Sequence, residues 1–243
     1  MDVGIMSRNL EFPSNTTQQE LHHVIQELNE EAPVTGILLQ LPLPKGLDEV
    51  SAVSTIAPEK DVDGLHPYNL GLLAQNRADL VACTPKGVLT MLKYYGVKVA
   101  GRHAVVINRS KLVGRPLSQL LLNNDATVTV CHSKTEDLEG ICRQADILIT
   151  GIGRRAEFTA GIDMIKPGAT VIDVGTSNVE GKLKGDVDFD AAIGVAEYVT
   201  PVPGGVGPMT IALLLYNTLL AACLQNDVDL GFTADELKIA EPS

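Results

Sequence analysis

Hydrophobic and polar positions change their rhythm along this chain. In "TTQQELHHVIQELNEE", residues 16–31, the apolar side chains fall at Leu21, Val24, Ile25 and Leu28. That is the spacing of a helix with one buried stripe, and the threonines ahead of it can cap its first turn. "VTGILLQLPLP" follows, a mostly apolar run that stops at prolines, and it predicts a short buried parallel strand. A helix is expected over residues 47–56, then a polar loop, "APEKDVDGLHPYNLG". "TPKGVLTMLKYYG" predicts another helix, with Pro near its first turn.

From Gly101 onward the pattern becomes a regular alternation. "RHAVVIN", "ATVTVCH", "ADILITGIG", "ATVIDVG" and "AEYVTPV" read as strands. "GRPLSQLLLNN" and "TEDLEGICRQ" between them read as helices. Strands separated by helical segments imply βαβ units, a parallel sheet and right-handed crossovers, so the fold class is α/β. "VTPVPGGVGPMT" sets three prolines beside three glycines: a stiff loop with bare backbone, feeding the apolar "MTIALLLYNTLLAACL". That run is broken by Asn217 and is read as a buried core helix, too short and interrupted for a membrane span. The tail is acidic, with a helical turn expected over residues 235–240.

Composition narrows the function classes. The 243 residues are 45% hydrophobic and contain no Trp, so Val, Ile, Leu and Ala must build the core. A formal net charge of −11 argues against non-specific binding to nucleic acid or anionic membranes, so any anionic ligand must meet a local basic patch. Cys83, Cys131, Cys142 and Cys223 have no metal-ligand spacing and read as reduced thiols in a cytoplasmic protein. No metal is expected. "MDVGIMSRNLEF" lacks a basic region followed by an apolar one, so no secretory signal is expected there.

A dinucleotide would bind at the carboxyl ends of the parallel strands. The first strand–helix junction, "VINRSKLVGRP", carries no G-x-G-x-x-G; "GIGRRA" at residues 151–156 is a weak match. The second strand ends "VCHSKT", with Ser133 and Lys134 where NAD enzymes place a carboxylate, and Arg109 and Ser110 stand on the preceding turn. Hydroxyls with cations suit a 2′-phosphate, so NADP is favoured over NAD. The bland alternative leaves Arg109 and Lys111 as solvated charges and Ser133 as a helix cap.

The blocks "GILLQLPLP", "APEKDVDGLHPYNLG", "CTPKGVL", "GRHAVVINRSKLVGRP", "ATVTVCHSKT", "ADILITGIG", "VIDVG", "GDVDF" and "TPVPGGVGPMT" occur in one order between about residues 33 and 222. In them the chain resembles the bifunctional methylenetetrahydrofolate dehydrogenase/cyclohydrolase family. The resemblance implies a Rossmann-type NADP domain, residues 87–207. It also implies a smaller α/β folate-binding domain, residues 1–86 and 208–243, truncated at its N-terminus relative to the family. It further implies a cytoplasmic homodimer acting on tetrahydrofolate derivatives, with NADP as cofactor. The substrate would be oxidised from the methylene to the methenyl form and then hydrolysed to 10-formyltetrahydrofolate.

Residue by residue, the resemblance makes Asp63 the carboxylate that grips the pterin and Gln40 the amide beside the reacting centre, the two catalytic candidates. Pro42, Pro203, Gly204 and Gly205 would shape the substrate wall. Thr84, Asn108, Arg109, Ser110, Ser133, Gly151, Gly153, Thr176, Gly207 and Thr210 would contact the cofactor. Asn108 stands where the family usually has Gly, a place where Asn could take a left-handed backbone, and Thr176 where Ile is common. Residues 1–33 contain neither Lys nor Tyr, whereas the family's proton-transfer Lys lies on an early helix. The cyclohydrolase step is therefore expected to be weakened in this chain. Two other readings stay open at this level: a non-catalytic nucleotide-binding or assembly subunit, and a dehydrogenase for another small substrate.

Overall fold

The computed structural model describes residues 4–154 and 157–234. The tail expectation over residues 235–240 lies outside them.

The amphipathic stripe of the first segment becomes α1 (Gln18–Glu30). Thr17 and Glu20 close a capping box on it, each side chain satisfying the other's backbone N–H. Leu21 and Ile25 pack with Ile37, Ala52 and Ile56, the last two from α2 (Glu49–Thr55) and its end. Asp48 caps α2 by accepting from the N–H groups of Val50 and Ser51.

Two expectations fail in this region. The apolar run at residues 34–44 is not a strand: Ile37 makes one parallel bridge to Asp61, its N–H donating to the Lys60 carbonyl at 2.7 Å. No neighbouring extended segment offers a ladder to the rest among the described residues, and Leu38 is 46% exposed. The presumed polar loop, in turn, holds a 3₁₀ turn at Pro58–Lys60 and a helix, α3 (Pro67–Ala74). Pro67 sits in its first turn, where a missing N–H costs nothing, and the His66 ring accepts from the Tyr68 N–H.

The remainder follows the alternating pattern: α4 (Cys83–Tyr94), β1 (His103–Ile107), α5 (Gly114–Leu122), β2 (Thr127–Cys131), α6 (Leu138–Cys142), β3 (Ile147–Thr150) and β4 (Thr170–Asp173). A small hairpin, β5 (Ser177–Val179) with β6 (Lys182–Lys184), and a short helix, α7 (Phe189–Ile193), precede β7 (Tyr198–Val199) and α8 (Val206–Gln225). The sheet order is β2-β1-β3-β4-β7, every pairing parallel.

Successive strand residues point to opposite faces, and both faces are covered. Ala104, Val106, Ile147 and Ile149 meet Leu89, Leu117, Leu121 and Leu213 from α4, α5 and α8. Val105, Ile107, Leu148 and Val171 meet Cys142, Met164 and Ala192 on the other side. Each fully buried Leu contributes about 2 kcal/mol by leaving water. The central strands β1, β3 and β4 are largely apolar without alternation because neither of their faces is wet, whereas β2 at the sheet edge alternates Thr with Val and is partly exposed.

Helix α8 is 20 residues long and apolar enough to cross a membrane by length and composition, more than its Asn217 break led us to expect. It is not the wholly buried core helix expected: Ile211, Leu215, Leu219 and Leu224 are exposed, and one side packs along α4, where a Cβ on Gly87 would lie 3.1 Å from that of Met209.

Candidate functional site

Because β1 to β4 run parallel, the loops that follow them share one edge of the sheet. This brings Asn108, Arg109 and Ser110 after β1, Ser133 after β2, Gly151 and Gly153 after β3, and Thr176 after β4 to that edge.

The Asn108 backbone is not left-handed, contrary to the sequence expectation. Its contribution comes from the side chain. The carboxamide oxygen accepts from the N–H groups of Ser110 (2.6 Å) and Gly114 (3.2 Å), while the nitrogen donates to the Gly151 carbonyl. Asn108 thus ties the β1–α5 loop to the β3 loop and satisfies donors at the start of α5. Ser110 helps, its hydroxyl accepting from the Val113 N–H at 3.1 Å. Arg109, Ser133 and Lys134 are exposed. Ser133 does not cap α6; Asp137 does, through the Gly140 N–H.

The "GIGRRA" match does not open a helix. Residues 151–154 are irregular, residues 155 and 156 lie outside the described set, and the next helical element is a 3₁₀ turn at Ile162–Met164. The loop is held instead by a buried carboxylate. Asp186 accepts from the Gly153 N–H at 3.0 Å and also from Ile152. Asp173, at the end of β4, accepts from the N–H groups of Gly175 (3.0 Å), Asp186 (3.1 Å) and Val187 (2.8 Å), and from the Thr150 hydroxyl (3.2 Å). Burial pushes the Asp173 pKa up, against the pull of these backbone donors. Two glycines make room for the pair: a Cβ on Gly175 would lie 2.2 Å from the Asp186 carboxylate, and one on Gly185 only 2.0 Å from that of Asp173. "VIDVG" and "GDVDF" contained this frame, but nothing local in either block says that its carboxylate reaches backbone in the other.

The turn 61–64 carries two carboxylates. Asp61 is buried and accepts from the His66 N–H (2.8 Å) and the Asn69 amide (2.9 Å). Asp63 is half-buried; burial raises its pKa first, the Asp61 charge adds to this, and a hydrogen bond with the Cys83 thiol opposes it. The same burial and the Asp63 charge push the Cys83 thiol up, so it stays protonated. One residue further along α4, the Thr84 hydroxyl lies 2.9 Å from that of Thr210 on α8. The loop before α8 is exposed at Pro203 and Gly204 and buried at Gly205, whose N–H donates to the Pro201 carbonyl. Gly207 is exposed on the first turn of α8. Gln40 and Pro42 lie at an exposed rim, the Gln40 amide donating to the Leu41 carbonyl within its own segment. Leu41–Pro42 and Val202–Pro203 are both cis.

Lys60, one of two lysines in the neighbouring motifs, is structural. Its ammonium is buried and donates to the carbonyls of Leu28, Asn29 and Glu31 at the C-terminal end of α1.

A parallel sheet covered by helices on both faces, with cations and hydroxyls at the ends of its first two strands, is the architecture of a nucleotide-binding α/β protein. Comparison with known proteins specifies it further. The chain belongs to the tetrahydrofolate dehydrogenase/cyclohydrolase family: the family's catalytic-domain model matches residues 1–63 and its NAD(P)-binding-domain model residues 82–226. It is 55% identical over 222 residues to the bifunctional protein FolD of Geobacillus thermodenitrificans, covering 91% of this chain and 78% of that one. The crystal structure of the bifunctional FolD of Campylobacter jejuni superposes with a TM-score of 0.83 at 45% identity, over 88% of this chain and 76% of that one. The Trypanosoma brucei enzyme, solved with NADP and an inhibitor, gives 0.83 at 43% identity, over 89% and 76%.

Proposed function

We infer that this chain oxidises 5,10-methylenetetrahydrofolate to 5,10-methenyltetrahydrofolate with NADP and hydrolyses the product to 10-formyltetrahydrofolate, the hydrolytic step being the weakened one. The observation that carries the reading is identity above 50% to bifunctional FolD across both family domains.

The residues at the sheet edge have the chemistry to hold NADP. Arg109 and Lys134 would neutralise a 2′-phosphate, and the hydroxyls of Ser110 and Ser133 would hydrogen-bond it. Gly151, Gly153, Thr176 and the start of α8 at Gly207 would let a flat ring approach backbone, with Thr84 and Thr210 beside it. When bound, NADP supplies the hydride acceptor. The work left to the protein is to stack two rings, a positioning task. Asp63 would accept from the paired N–H donors of the pterin, and the Gln40 amide would turn from the Leu41 carbonyl toward the reacting carbon. Pro42, Pro203, Gly204 and Gly205 would form the wall opposite. Lys60 is committed to three carbonyls and is not assigned the proton transfer of the hydrolytic step.

Residues 1–86 and 208–243 are proposed as the folate unit and residues 87–207 as the nucleotide unit. The return of α8 onto α4 through the Thr84–Thr210 pair supports that division. A cytoplasmic homodimer is proposed with it; the free cysteines and the exposed apolar side chains of Leu183, Ile193 and Tyr198 support this. The test is to supply 5,10-methylenetetrahydrofolate with NADP or NAD and to follow the reduced nicotinamide and the 10-formyl product. Turnover with NADP is expected, and no reduction with either nucleotide overturns the reading.

A further inference from the structure

We infer that Asn217 on α8 is a positioning residue for Asp63, fixing the peptide unit that carries this carboxylate and so setting affinity for the pterin; the inference rests on the folate reading of Asp63 above. Asn217 interrupts an otherwise apolar stretch of helix and is 2% exposed. Its amide nitrogen lies 2.9 Å from the Val62 carbonyl and 2.9 Å from the Val81 carbonyl. An amide has two N–H donors, so both are used, and the flip of the side chain is settled by its partners.

The Val62 carbonyl belongs to the same planar unit as the Asp63 N–H. Holding that oxygen fixes the plane from which Asp63 projects. The other sides of the turn are also fastened. Asp61 is held by His66 and Asn69. Gly64, at φ +70°, presses so closely on the 81–82 backbone that a Cβ there would lie 2.4 Å from the Ala82 nitrogen. The Cys83 thiol stands 3.4 Å from the Val62 carbonyl and 3.5 Å from the Asn217 amide. Asn217 is the member of this set that comes from α8, and it binds the turn and the approach to α4 with one group. A Leu would suit the helix itself better. A polar side chain buried there breaks the local pattern, as residues kept for a site do.

The experiment titrates the purified chain with tetrahydrofolate and, separately, with NADP. In Asn217→Leu the dissociation constant for tetrahydrofolate is expected to rise about tenfold or more, with that for NADP within about twofold. Asn217→Thr keeps one donor and is expected to fall between, and it carries the test if the Leu variant does not fold. The decisive comparison repeats the substitution in an Asp63→Asn background. If Asn217 acts through Asp63, the tetrahydrofolate effect there shrinks to less than about twofold. An equal loss in both backgrounds, or wild-type affinity in both Asn217 variants, overturns the role. A wild-type chain that binds NADP but no tetrahydrofolate overturns the folate reading itself, and this role with it.

Discussion

The carboxylate of Asp186 holds the backbone of Gly153, 33 residues earlier in the chain, through an N–H···O bond of 3.0 Å. Asp186 is fully buried, and its own N–H is held by Asp173. The nucleotide-side loop after β3 is therefore shaped from behind. Asp186→Asn turns part of the acceptor into a donor facing two N–H groups. It is expected to cost about 2–4 kcal/mol in stability and to raise the KM for NADP. Urea unfolding and initial rates check the two effects.

Arg109, exposed on the loop after β1, is the residue proposed to meet the 2′-phosphate that separates NADP from NAD. Arg109→Ala is expected to raise the KM for NADP by about ten- to a hundredfold, the loss of one charge-assisted contact of roughly 1.5–3 kcal/mol. The KM for NAD should hardly change. Initial rates with each nucleotide, at constant ionic strength, are the measurement.

The proposed role of Asp63 would tie substrate affinity to pH. Its pKa is raised above the ordinary 3.8 by burial and by Asp61, and the proposed contact with the pterin N–H donors needs the ionised form. Affinity for tetrahydrofolate should therefore fall as pH drops through this raised value, at a higher pH than a free Asp would give. The stability sign is the reverse. A carboxyl whose folded pKa is raised stabilises the fold when protonated, and that contribution is lost as pH rises through the folded pKa. Asp63→Asn is thus expected to raise Tm at neutral pH while abolishing the acid limb of tetrahydrofolate binding. The gain in Tm should shrink as pH is lowered. Calorimetry over a pH series checks both.

Lys60→Met should test the structural assignment of that lysine. Three carbonyls at the end of α1 lose their donor, and the expected cost is about 2–4 kcal/mol. The pH dependence of methenyltetrahydrofolate hydrolysis should keep its shape, because Lys60 carries no proton for it. A lost limb in that profile would contradict the assignment.

Much of the nucleotide half was legible in the sequence because its central strands β1, β3 and β4 are buried on both faces and α5 between them has a clear apolar side. Ile147 and Leu148 look like a strand and are one. The apolar run at residues 34–44 has the composition of a strand but, among the described residues, no ladder partner beyond Asp61, and pairing is not a local property. Helix α3 was hidden because Pro67, Asn69 and Gly71 resemble turn residues until Pro67 is seen at a first helical position. At the site, the positions of Arg109 and Ser133 at strand ends followed from alternation alone. The Asp173–Asp186 frame and Asn217 did not, since most of their partners are backbone groups from 13 to 155 residues away. Backbone acceptors and donors leave no mark in composition.

The amide that fastens Val62 comes from a helix 155 residues later. During synthesis, the turn bearing Asp63 leaves the ribosome long before its clasp exists. The strand pairings of the parallel sheet are complete by Val199, but one of its faces is still to be covered by Met209 and Leu213 of α8. A nascent chain halted ahead of α8 should accordingly carry a paired sheet yet hold neither ligand firmly, so the last helix would complete both sites in one step of maturation.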